Sequence, residues 1–140
     1  MALTPTFSRA PDIAPAPKGI LDPATGRPAL AAGGGGYSGR GIHPVAVRAV
    51  FDTHAAHPDL PIIGVGGVAS GWDAAELMLA GASAVQVGTA TFADPVAPAR
   101  VQRELLEWCA RHGVSPVDMV GLAHRGGLSR PGLHGGEPAR

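Results

Sequence analysis

At 140 residues the chain is long enough for one domain with its own core, yet Gly 21 and Pro 14 make it rich in chain breakers, concentrated at its two ends. Lys+Arg 11 balance Asp+Glu 11 and no basic stripe stands out, which argues against nucleic acid as a partner. The single cysteine, Cys109, excludes a disulfide framework or a cysteine-built metal site within one chain. Met1-Ala2-Leu3-Thr4-Pro5 lacks a basic region leading into an apolar stretch, and no window approaches ~18 uninterrupted apolar residues, so a cytoplasmic protein without a membrane partner is expected.

Residues 1–19 mix Pro, Ala and Thr without periodicity and read as an irregular tail. Leu21 to Pro28 has the composition of consecutive turns, a surface loop. Gly33-Gly34-Gly35-Gly36-Tyr37-Ser38-Gly39 is either a flexible linker or a loop whose backbone passes close to a ligand. Ile42, Val45, Ala46, Ala49 and Val50 then recur at helical spacing and predict a helix over about 42–56. Leu60 to Val65 reads as a strand, with Pro61 near its start. Ser70 three residues before Asp73 resembles a capping box, Ala75, Met78 and Leu79 form the apolar face of the helix it opens, and Gly81 closes that helix. A second strand, 84–87, follows. After the short apolar turn 90–92, Asp94-Pro95 opens a helix over about 96–112, with Val101, Leu105, Trp108 and Cys109 on one stripe. Ser115, Pro116 and Asp118 predict one more helical turn through Val120, and residues 122–140 read as a disordered tail, leaving 20–121 as the folded part.

Both strands run into glycine: Ile62-Ile63-Gly64-Val65-Gly66-Gly67 and Ala84-Val85-Gln86-Val87-Gly88-Thr89. Their apolar runs lack strict alternation, as parallel strands covered on both faces do. Glycine at a strand's carboxyl end lets a ligand approach the backbone, and N–H groups entering a helix attract anions, so two such ends side by side could hold one phosphate. An open doubly wound sheet and a (β/α)8 barrel both fit this βαβ pattern. Gly64-Val65-Gly66-Gly67 does not keep the G-x-G-x-x-G spacing of a dinucleotide fold. The loops after the last two strands of a barrel, with a short extra helix, supply a phosphate site of the right parts. The expected fold class is therefore α/β, the C-terminal part of a (β/α)8 barrel, in a chain that looks truncated because two strands cannot close a sheet.

From about Leu21 to His124 the chain resembles the carboxyl-terminal portion of dihydroorotate dehydrogenase. The resemblance is carried by Asp22-Pro23-Ala24-Thr25-Gly26-Arg27-Pro28, Gly35-Gly36-Tyr37-Ser38-Gly39, Pro61 to Gly67, and Leu79 to Ala90. Val87-Gly88-Thr89-Ala90 is similar to the soluble class 1 enzymes. The resemblance implies FMN-dependent oxidation of dihydroorotate to orotate in pyrimidine synthesis, with Gly39 contacting FMN and Gly66, Gly67, Gly88 and Thr89 holding its phosphate. It also implies an electron acceptor, which is NAD through an additional electron-transfer subunit or fumarate without one. Departures accompany it. Tyr37 stands where the family has a small aliphatic residue, Arg40-Gly41 where it has Pro-Ala, and Ala14-Pro15-Ala16-Pro17 where an orotate-holding Asn-Thr pair is expected. The first two-thirds of the barrel, with the catalytic Cys or Ser base, has no counterpart in the chain, so no catalytic residue is assigned.

Nothing present is expected to replace that base. Cys109 reads as a core residue, His43 as a solvated helix-end histidine with a place facing the flavin loop as the alternative, and Asp73 as a cap. Trp72 and Trp108 read as helix-packing residues, Ser38 has no His/Asp arrangement, and His54 and His57 lack a third metal ligand. Three functions remain open: the FMN-phosphate part of a dihydroorotate dehydrogenase whose other part is a separate polypeptide or lost, a non-catalytic flavin or phosphate module, and a nonfunctional fragment.

Overall fold

The computed structural model describes residues 2–3, 22–27, 29 and 36–128. Most of the predicted 1–19 tail, Gly33 to Gly35 and residues 129–140 lie outside the described residues. Three parallel strands, β1 (Ala2–Leu3), β2 (Ile63–Val65) and β3 (Ala84–Gln86), form one sheet in the order β1-β2-β3. Ala2 pairs with Ile63 and Leu3 with Gly64, while Ile63, Gly64 and Val65 pair with Ala84, Val85 and Gln86. Ala2 and Leu3 thus depart from the irregular tail predicted there: the edge of β2 offers a free ladder, which residue composition does not reveal. Three helices accompany the sheet: α1 (His43–Ala56), α2 (Gly71–Leu79) and α3 (Ala97–His112). Short 3-10 helices span Arg40–Ile42, Thr89–Phe92 and Leu122–Arg125.

The helices form where the stripes predicted them. Val101, Leu105, Trp108 and Cys109 of α3 are buried and meet Ala74, Ala75, Leu77 and Met78 of α2 in one core with Ala46, Val50, Ile62 and Met119. Gly71 opens α2 so close to α3 that an added Cβ would lie 2.4 Å from the Glu104 carbonyl carbon. The α1 stripe is rotated from its predicted position. Ile42, His43, Ala46 and Val50 are buried, whereas Val45 is 44% exposed. Ser70 caps α2 as predicted, its Oγ accepting from the Asp73 N–H at 3.3 Å.

Three other expectations change. β2 is shorter than the predicted Leu60–Val65, because the Leu60 N–H donates to His57 O at 3.1 Å and holds that residue in a turn. The strands are covered on one face, not two. Gly64 and Ile62 are buried against the helices, while Ile63 is 40% exposed and Ala84 and Gln86 are exposed on a face that none of the described residues covers. Finally, residues 122–128, predicted as disordered, pack on the core. Leu122 and Leu128 lean on it, His124 stacks on Phe51 at 4.0 Å, and its Nε2–H donates to Ala80 O at 3.0 Å. The single turn predicted through Val120 forms: the Met119 N–H donates to Ser115 O at 3.1 Å, Ser115 Oγ accepts from the Asp118 N–H, and Met119 is fully buried.

Candidate functional site

The β2–β3 ladder ends at the Val65–Gln86 pair, so both chains leave the sheet at the same level and at their carboxyl ends. That is the end of a parallel sheet where ligands bind. A cleft of about 620 Å³ opens there, lined by Gly39, Gly66, Gly67, Gly88 and Thr89 together with Arg40 and the side of α3 that carries Arg100 and Glu104. The five residues singled out from the sequence therefore surround one space, although up to fifty residues separate them in the chain.

Each loop reaches the cleft differently. Gly66 and Gly67 have φ of +138° and +70°. An added Cβ would lie 2.6 Å from the Ala46 Cβ at Gly66, and 2.7 Å from the His43 Cβ and 2.9 Å from the Gly39 carbonyl oxygen at Gly67. Only glycine suits both the backbone and the space. Gly39 in turn stands beside Thr89, whose Cγ2 would be 3.9 Å from a Cβ there. At Gly88 an added Cβ meets none of the described residues within 4 Å. Its carbonyl is tied down by the Thr91 N–H at 2.9 Å and the Thr91 hydroxyl at 2.8 Å. Among the described residues, no backbone hydrogen bond uses the N–H of Gly67 or of Thr89.

The cleft's acids are already engaged. Arg100 Nε donates to Asp94 Oδ2 at 2.9 Å, and its Nη1 to Glu104 Oε1 at 2.9 Å and Ala69 O at 3.2 Å. The Gly71 N–H donates to Glu104 Oε2 at 2.7 Å, and this bond, with Arg100, holds the Glu104 carboxyl below its ordinary range. Burial pushes Asp73 upward, but the Ala69 N–H, the Ser70 hydroxyl and nearby His43 outweigh it and leave Asp73 below its usual value. Cys109 is buried at 4% exposure, contacts Met119 Sδ at 3.7 Å, and has its thiol pushed upward by burial. It is a core residue away from the cleft, as predicted.

His43 differs from the solvated helix-end residue expected. It is buried behind the Gly66-Gly67 loop: Nδ1–H donates to Gly66 O at 2.9 Å, and Nε2 stands 2.9 Å from Glu76 Oε2. The signal was present, since His43, Ala46 and Val50 are spaced i, i+3 and i+7, but an apolar stripe counts only apolar residues. His43, Asp73 and Glu76 bring ligand-type atoms within 4.8 Å of one another. Both ring nitrogens are committed to the contacts just described, which makes this an inter-helix polar clamp. No helix of the described residues is long and apolar enough to cross a membrane.

Residues 17–108 match the family model described as dihydroorotate dehydrogenase. A Solibacter usitatus protein, provisionally named dihydroorotate dehydrogenase A (fumarate), is 50% identical over 102 residues, covering 72% of this chain and 33% of its own. The catalytic subunit of dihydroorotate dehydrogenase B (NAD(+)) from Geobacter sp. (strain M21) is 50% identical over 94 residues, covering 67% of this chain and 30% of its own. The ligand-free enzyme of Eimeria tenella superposes with a TM-score of 0.63 at 36% identity, over 65% of this chain and 26% of that one. The chain thus spans about a third of the length of the curated relatives it matches, and the A and B names fit class 1. With its sheet and helices arranged as a part of a (β/α)8 barrel and the family match running through both glycine-ended strands, the chain belongs to the dihydroorotate dehydrogenase family.

Proposed function

We propose that this chain forms the FMN-phosphate end of a dihydroorotate dehydrogenase barrel, serving the oxidation of dihydroorotate to orotate in de novo pyrimidine (UMP) synthesis. The observation that carries the reading is the convergence of Gly39, Gly66, Gly67, Gly88 and Thr89 on one cleft at the carboxyl ends of adjacent parallel strands. The cleft fits a phosphate. The Gly67 and Thr89 N–H groups have no internal acceptor among the described residues, and open space lies over Gly88. Charge-assisted bonds from such N–H groups are the usual means of holding a phosphate group. FMN, when bound, supplies the chemistry of hydride acceptance from the substrate. The residues of this chain bind and orient its phosphate.

Among the described residues, those at the cleft do not supply the base. Asp94 and Glu104 are bonded to Arg100, and Cys109 is in the core. Proton abstraction from dihydroorotate therefore requires groups from elsewhere in a complete barrel, and this favours a second reading for the chain alone: a flavin-phosphate module without catalysis. The exposed face of the sheet at Ile63, Ala84 and Gln86 is where further barrel strands would pack. The rest of the barrel, on the same or a separate polypeptide, is the partner we assign, in the cytoplasm, with an electron-transfer subunit joining if NAD is the acceptor. Titrating FMN into the purified 140-residue chain tests the reading. Saturable quenching of flavin fluorescence is expected, weakened roughly 100-fold in Gly88→Val; absence of binding at high micromolar FMN would reject a phosphate site in this chain.

A further inference from the structure

We infer that His43 is the positioning residue of the phosphate loop, acting through the Gly66–Gly67 peptide. This rests on the phosphate reading given above and deepens it. The peptide is trans and planar, so the Gly66 carbonyl and the Gly67 N–H point in opposite directions from the same rigid unit. Whatever fixes the carbonyl also aims the N–H. His43 Nδ1–H fixes it, at 2.9 Å, from α1 behind the loop. The Gly67 N–H therefore faces away from α1 and, bonded to no acceptor among the described residues, is left for a ligand.

The ring that does the aiming is itself held. A carbonyl oxygen can only accept, so Nδ1 carries a hydrogen, and the rotamer is set at the other end by Glu76 Oε2, 2.9 Å from Nε2. Glu76 is on α2, the helix that begins after the same loop, and Asp73 one turn earlier adds a second carboxylate near the ring. His43 is 8% exposed, so water is a poor substitute for either contact. With glycines at φ of +138° and +70°, the loop has no side chain of its own to resist a peptide flip. Backbone geometry at such positions is sustained by surrounding contacts, and here the hydrogen bond to the Gly66 carbonyl comes from one imidazole.

The test uses the 140-residue chain with nitrogen–proton NMR correlation spectra, FMN and inorganic phosphate as probes, and thermal melting alongside. In the wild type, either probe should displace the Gly67 amide resonance. His43→Leu should displace that resonance without ligand and weaken FMN about tenfold, the loss expected when one charge-assisted bond is misaimed. His43→Asn returns a donor at the Nδ1 position and should bring the resonance and the affinity back, whereas Glu76→Gln should lower the melting temperature more than it changes FMN affinity. A folded His43→Leu chain with wild-type Gly67 resonance and wild-type FMN affinity overturns the assignment while leaving the phosphate site standing. Should His43→Leu not fold, a folded His43→Asn chain with a displaced Gly67 resonance overturns it equally. A wild-type Gly67 amide that responds to neither FMN nor phosphate removes the phosphate site and the positioning role together.

Discussion

The two glycine-ended loops look alike in sequence and do different things in the fold. Gly66-Gly67 is packed from behind: Ala46, His43 and the Gly39 carbonyl occupy the space where side chains would stand, and both φ values are positive. Around Gly88 a Cβ would find none of the described residues within 4 Å, and among them none caps the 3-10 helix Thr89–Phe92 that follows. One glycine pair is required by the protein's own interior. The single glycine of the other loop, Gly88, is required, on our reading, only by what enters the cleft.

Gly67→Val gives the largest expected effect, because it forces a β-branched side chain into φ of +70° and to within 2.7 Å of the His43 Cβ. Strain and overpacking together should cost about 3 kcal/mol or more, visible as a loss of the cooperative thermal transition or a drop beyond ~12 °C. Gly88→Val should behave oppositely: stability within about 1 kcal/mol, but FMN affinity down roughly 100-fold as the side chain fills the phosphate's space. Equal loss of stability in the two variants would dissolve the contrast. Unchanged flavin affinity in Gly88→Val would remove the second loop from the site.

Asp73 sharpens the contrast, since only the first loop leads into a capped helix. Its carboxylate accepts from the Ala69 N–H and the Ser70 hydroxyl, both at 2.9 Å. Asp73→Ala should cost about 1 kcal/mol, measured by urea unfolding at neutral pH. Asp73 is held below its ordinary value, where the Ala69 N–H, the Ser70 hydroxyl and His43 outweigh burial, so the folded state favours the ionised form. Its contribution is therefore complete above the unfolded value of about 3.9 and is lost as pH falls through the lower folded value. Asp73→Ala should flatten the acid limb of stability below about pH 4 relative to wild type. An unaltered acid limb would mean that other carboxylates set it.

Much of this was legible. The stripe of α3, the Ser70–Asp73 cap and the burial of Cys109 follow from local periodicity and capping chemistry, and they appear where read, while the α2 face keeps Ala75 and Met78 but turns toward Ala74 and Leu77 instead of Leu79. What was missed depends on contacts distant in sequence. His43 is tied to Gly66 and Glu76, 23 and 33 residues away, and a polar residue on an apolar stripe carries no mark of such partners. His124 bonds Ala80 across 44 residues, so the glycine-rich composition around it suggested a tail where the core in fact continues. Ala2–Leu3 is too short for any periodic signal and exists as a strand because β2 is there to pair with it.

The smallest expected effect lies away from both loops. The His54 ring lies against the backbone of Gly81 and Gly121 and 4.9 Å from the His124 ring, and its Nδ1 is buried with no hydrogen-bond partner among the described residues. Burial, followed by His124 and Arg125, lowers its pKa. The folded state therefore disfavours its protonation, and between the folded and unfolded values the unfolded chain binds more protons. Stability should be intact above about pH 6.5 and decline below it, by a few degrees of melting temperature toward pH 5.5, and His54→Gln should remove most of that slope. FMN affinity should not change in His54→Gln at either pH, because His54 lines a different depression, with Pro58 and His124, from the one the glycines surround. A variant that alters flavin affinity while leaving the pH slope intact would show that the carboxyl-terminal turn communicates with the cleft, and the separation between a packed rear and an open front would have to be redrawn around α1, the helix that carries both His43 and His54.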